Sequence, residues 1–139
     1  MPHEFIEIGP NHLRLKDSDI WMLRHFLMRA IDMDLSGVPQ GKDHLIALYD
    51  LLNRWNWQGP GVIVGCDFNN YTTSPQRHDV LRQTLLAAGD LLVQFGDNIP
   101  LDYLQEHLNT SSLTYLAAQP TSKTLQIISS CLELLGKKP

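Results

Sequence analysis

The residues best placed to do chemistry are Cys66, Asp67 and His78. Cys66 follows the apolar run Val62-Ile63-Val64 and Gly65, with Asp67 beside it and His78 further along. A thiol at the end of a buried strand becomes a nucleophile when an imidazole lowers its pKa and a carboxylate orients that imidazole. Those three residues would make a small cysteine-dependent hydrolase or transferase. The surrounding sequence carries no cysteine-hydrolase signature, and the G-x-S-x-G elbow of serine hydrolases is absent. A buried structural cysteine at a strand end is the competing expectation, and it is preferred. The second cysteine, Cys131, makes no C-x-x-C pair with the first, so two reduced thiols are expected.

The stretch Asp32-Met33-Asp34-Leu35-Ser36-Gly37, with Asp43 beyond it, resembles an EF-hand calcium loop. It offers oxygen ligands at positions one, three and five, a glycine at the bend and a carboxylate at twelve. Pro39 stands where a backbone N–H should pair with a partner loop, Asp43 replaces the longer glutamate, and no second loop exists. A helix-to-helix turn accounts for the same residues, so no metal is expected there. The histidines at 3, 12, 25, 44, 78 and 107 show no paired ligand spacing, which argues against zinc. Neither G-x-G-x-x-G nor the P-loop pattern occurs, so no nucleotide cofactor is expected.

In Trp55-Asn56-Trp57 the first tryptophan continues a helical apolar stripe, while Trp57 lies at an element end, where an aromatic can anchor a partner. Charge supplies the more specific signal. The chain has 11 Lys+Arg against 15 Asp+Glu, a net charge of −4. Residues 83–122 hold no Lys or Arg but contain Asp90, Asp97, Asp102 and Glu106, leaving 11 acids and 11 bases elsewhere. The whole excess therefore sits in one segment. Asp102 and Glu106 are spaced to share one helix face, and such a surface attracts cationic partners.

The elements that must position these groups follow from the apolar pattern. The 23 Leu against five Val favour helix. Residues 5–8 and 12–16 flank Gly9-Pro10-Asn11 and read as a β-hairpin with one wet face. Periodic apolar residues predict helices over 18–33 and 43–55, then a buried strand at 62–64. Ser74 and Pro75 start a helix that Gly89 is expected to stop, followed by a strand at 91–93. A short helix over 101–108, a strand over 112–116 and a helix from 122 to Gly136 complete an α+β chain. Its architecture is expected to be a single domain, 1–139, with the N-terminal hairpin and a small mixed sheet covered by about five helices.

An acidic pI near 5.8 disfavours nucleic acid and anionic membrane surfaces as partners. The N-terminal residues lack the apolar core of a secretory signal, and no apolar run reaches membrane-spanning length, so a cytoplasmic location is expected. The function expected from these properties is non-enzymatic protein binding. An acidic face centred on Asp90, Asp97, Asp102 and Glu106, with Trp57 as apolar anchor, would occlude a basic protein. Bacterial immunity proteins, which inhibit toxins that are often basic nucleases, share this general profile of size and charge, an analogy of type without a diagnostic motif.

Overall fold

The computed structural model describes residues 3–35, 42–55, 57, 66–110 and 113–136. Strands β1 (His3–Ile8) and β2 (Asn11–Lys16) form the antiparallel hairpin, with Ile6 opposite Leu13 and Ile8 opposite Asn11. Asn11 is thus strand, and the turn is Gly9-Pro10 alone. Gly9 has φ +60°, and a positive φ at the first of two central residues followed by proline suits a type II′ turn. Its N–H donates to Asn69 Oδ1 at 2.9 Å. Alternation is clean: Ile6, Ile8 and Leu15 are buried while Phe5, Glu7, His12 and Arg14 are exposed.

The opposite edge of β1 meets the segment around Asp67. Glu7 N–H donates to the Cys66 carbonyl at 3.1 Å, and Phe68 N–H donates to the Glu7 carbonyl at 2.8 Å, a parallel bridge. β1 therefore has an antiparallel neighbour on one side and a parallel contact on the other. The strand expected at 62–64 lies outside the described residues.

Helix α1 (Asp17–Leu35) carries Asp17 and Asp19 in its first turn, where carboxylates suit the helix dipole. Ile20, Leu23, Phe26, Leu27, Ala30 and Ile31 are buried, a stripe wide enough to pack against the hairpin and three other helices. Helix α2 (Asp43–Asn53) buries Leu45, Leu48 and Leu52, and Trp55 continues that stripe just beyond its end. It has no basic residue in its last turn. Arg24 of α1 supplies one, donating from Nε to the Leu52 carbonyl at 2.8 Å while its guanidinium lies 4.4 Å from the Trp21 ring.

Helix α3 (Pro75–Val93) begins as expected: Ser74 caps it by accepting from Arg77 N–H, and Pro75 occupies the first helical position. Its end corrects the sequence expectation. Gly89 does not stop the helix, and residues 91–93 are its last turn, not a strand. The reason is tertiary. A Cβ at Gly89 would sit 3.8 Å from Leu125 Cδ2, so the glycine lies where α5 packs close, and continuing the helix buries Leu92 completely. That burial outweighs the glycine's propensity penalty of about 1 kcal/mol. Because 3.8 Å is ordinary van der Waals contact, Gly89→Ala should stabilise the fold by about 0.5–1 kcal/mol. Urea unfolding checks it, and a lowered midpoint would mean that the α3–α5 contact admits no methyl group.

After α3, strand β3 (Asn98–Ile99) pairs with β4 (Gln119–Pro120), with helix α4 (Leu101–His107) between them. The strand expected over 112–116 does not form across its described residues 113–116. Asn109 Oδ1 accepts from Tyr115 N–H at 2.9 Å, and Thr110 Oγ1 accepts from Leu113 N–H at 3.1 Å. Local side chains thus satisfy backbone groups that a strand would have offered to a neighbour.

Helix α5 (Thr121–Leu135) ends at Gly136, as expected, and packs on α3, α1 and both hairpin strands. Thr121 Oγ1 donates to the Gly96 carbonyl at 2.6 Å, fixing the start of α5 beside the end of α3. The α+β class holds, with five α-helices and two antiparallel strand pairs among the described residues, around one buried apolar cluster. No helix among them is long and apolar enough to cross a membrane.

Candidate protein-binding surface

All four acids of the segment 83–122 are exposed, but the fold divides them. Asp102 and Glu106 lie on one face of α4, and Asp97 is in the turn just before β3. Asp90 belongs to the continuous helix α3 and lines a groove between α1, α2 and α3. The division follows from the α3 correction, because a helix running to Val93 keeps Asp90 on α3 along the groove, while Asp97 lies in the turn beyond it.

The described cations do not neutralise this surface. Lys123, the first base after the segment, pairs with Asp19 of α1 at 3.2 Å. Lys42 pairs with Asp34 at 3.0 Å. Glu106 has His107 Nε2 at 3.9 Å, and no Lys or Arg among the described residues lies within ion-pair distance of Asp90, Asp97 or Asp102. Like charges one turn apart, as on Asp102 and Glu106, cost a helix about 0.2–0.5 kcal/mol.

An aromatic plug holds α4 in place. His25 Nε2 and the Tyr103 hydroxyl share a 2.8 Å hydrogen bond, and the His107 ring lies 4.4 Å from that of Tyr103. Tyr103 also stacks over Phe26 at 6.2 Å and meets Phe95 edge-on at 4.9 Å. Burial, helped by His107, Arg29 and Arg24, pushes the His25 pKa down to about 4, so the ring is neutral near pH 7. Sequence inspection singled out none of these partners. The i, i+4 spacing of Tyr103 and His107 was the available signal.

Trp57 is half-buried, its ring tilted 5.7 Å from Trp21. Trp21 Nε1–H in turn donates to the Leu108 carbonyl at 2.9 Å, just past the end of α4. Two contacts therefore connect Trp57 to the helix bearing Asp102 and Glu106, although 45 residues separate Trp57 from Asp102 in the chain.

The groove has a volume of about 640 Å³. Val80, Ala87 and Leu91 of α3 and Met33 of α1 give it an apolar lining, and Asp79 and Asp90 lie along its α3 side. His44 at its edge accepts from Arg77 Nε at Nδ1, 3.3 Å away. The groove is a tertiary product of three helices, and nothing local in the sequence announced it.

The other candidate residues are engaged elsewhere. Cys66 and His78 are both buried, and His78 Nε2 hydrogen-bonds the Leu135 carbonyl at 3.3 Å, at the end of α5. Asp67 Oδ1 accepts from Asn69 N–H at 3.1 Å, serving a turn. Burial raises the Cys131 thiol to about 12, which makes it a poor nucleophile at neutral pH. Of the calcium-like loop, residues 36–41 lie outside the described residues. Asp32 and Asp34 stand within helix α1, and the Asp34 carboxylate faces Lys42, so they are not the opening of an exposed loop. Among the described residues no cluster of three or more His, Cys, Asp or Glu is arranged to hold a metal ion.

No family model, curated protein or solved structure matches the chain.

Proposed function

We propose that this protein is a non-enzymatic binding protein of the immunity or inhibitor type, which occludes a basic protein partner such as a bacterial toxin. The observation carrying this proposal is that the acids of residues 83–122 are all exposed, with no lysine or arginine in the segment to offset them. Asp97, Asp102 and Glu106 form the charged part of the contact, Asp90 extends it onto α3, and Trp57 contributes aromatic surface beside α4. Long-range attraction steers a cationic protein to this side of the molecule, and apolar contacts retain it. Such a protein acts in the cytoplasm, where it shields the cell from the toxin, and needs neither metal nor cofactor.

Capture of a basic protein from native lysate at low salt tests the proposal, with D97N/D102N/E106Q as the comparison. The wild-type chain should retain a basic partner that elutes as salt rises, because exposed charges are screened over about 10 Å at 0.1 M. Neutralising the three acids should weaken capture about tenfold or more, a loss of roughly 1.4 kcal/mol. Capture unchanged by the triple variant, or a partner that is not basic, would refute the acidic-face mechanism.

A further inference from the structure

We infer that the groove between α1, α2 and α3 is the seat of one amphipathic, basic helix of the protein partner. This deepens the binding function proposed above and rests on it. Three features of the groove select that occupant.

The first is size and lining. About 640 Å³ of open space floored by Val80, Ala87 and Leu91, with Met33 on the opposite wall 57% exposed, can take a row of apolar side chains. Methionine adapts its shape to such guests. The second is charge. Asp79 and Asp90 are both exposed and have no Lys or Arg at ion-pair distance among the described residues. The groove's own lysine, Lys42, is occupied by both the carboxylate and the main-chain carbonyl of Asp34. The unbalanced charge along the groove is therefore negative, and its complement is a cation.

The third feature is spacing, which separates a helix from an extended segment. Asp79 and Asp90 are 11 residues apart on one continuous helix, both lining the groove. Three helical turns bring them onto the same face, about 16 Å apart. A guest helix with cations 11 positions apart matches that distance on one face, with apolar residues four and seven positions after the first cation directed at the floor. In an extended guest, five residues cover about 16 Å, which places the two cations on opposite faces. The geometry is that of a helix laid in an apolar groove with an acidic rim.

The test uses the full chain and a fluorescein-labelled helical peptide. The peptide carries two lysines 11 positions apart, leucines at the intervening positions named above, and alanine and glutamine elsewhere. Its control is an isomer of identical composition with the lysines moved to the opposite face. Fluorescence anisotropy at low salt should show the aligned peptide binding about tenfold or more tightly than the isomer. D79N/D90N should remove that preference, while the charge-matched variant D50N/E133Q keeps it. Ala87→Trp, at an exposed position whose folding a thermal melt verifies, should block the aligned peptide by filling the groove.

Equal binding of the two isomers, or a preference that survives D79N/D90N, would overturn the assignment. Dimerisation of the chain abolished by Ala87→Trp would also overturn it, by giving the groove to a second copy. The groove can fail alone: lysate capture lost in D97N/D102N/E106Q with no peptide preference leaves the acidic-face function standing. Capture of no basic partner removes that function whatever the peptide does.

Discussion

Replacing Phe26 with alanine should cost about 3–5 kcal/mol of stability, among the largest effects expected of a single truncation in this chain. Phe26 is completely buried on α1 and meets aromatic rings from elements far apart in sequence: Phe95 at 5.9 Å just after α3, and Tyr103 at 6.2 Å on α4. Removing the ring leaves a cavity that helices fixed by other contacts close only in part. Such a loss is a large share of the 5–15 kcal/mol typical of a folded domain. Phe26→Leu, which keeps most of the volume, should cost much less. Equilibrium urea unfolding of both variants is the measurement, and a loss below about 1 kcal/mol for Phe26→Ala would show that α4 is fastened by something other than this plug.

The second large effect is on pH dependence. Desolvation pulls the His25 pKa from 6.5 in the unfolded chain down to about 4 in the fold. Above pH 6.5 both states are neutral and the histidine makes stability independent of pH. Between 6.5 and 4 the unfolded chain takes up a proton that the folded protein refuses, so stability falls as the solution is acidified. Below about 4 both states are protonated and this contribution levels off. The full span is on the order of 3 kcal/mol at 1.36 kcal/mol per pH unit of displacement. His25→Gln, whose neutral amide can still meet the Tyr103 hydroxyl, should flatten the slope in that window. Denaturant midpoints measured from pH 7 to 4 on both proteins check this. Parallel curves would place the acid sensitivity in another group.

Much of the fold was legible because its signals are local. Gly9-Pro10 between alternating runs specifies the hairpin, Ser74-Pro75 opens α3, and Gly136 closes α5. The failures have different causes. Gly89 looks like a stop until Leu125 is known to lie against it, and residues 113–116 look like a strand until Asn109 and Thr110 are known to take up their N–H groups. The first outcome depends on a partner from α5 that no local pattern identifies, the second on nearby side chains that compete with a strand ladder.

The first of these errors had a functional consequence. Ending α3 at Gly89 separates Asp90 from the helix that bears Asp79. Continuing it places Asp90 three turns from Asp79 on the groove side, so the charge excess was legible as composition but not as two surfaces. The link between Trp57 and α4 was hidden for a different reason. It passes through Trp21, which bonds Leu108 across 87 positions in sequence.

The hairpin and the last helix impose an order on how the protein can be made. Asn11 Nδ2 donates to the Leu134 carbonyl at 3.4 Å across 123 residues, and α5 packs against both β1 and β2. A two-stranded hairpin by itself is marginal in water, so β1 and β2 depend on the helices that cover them. Their apolar face, with Ile6, Ile8 and Leu15, meets α1 next in the chain, but its cover is complete only when α5 docks, and closing so long a loop is slow compared with forming the helices. Until α5 docks that cover is incomplete, and aggregation competes for the exposed apolar surface.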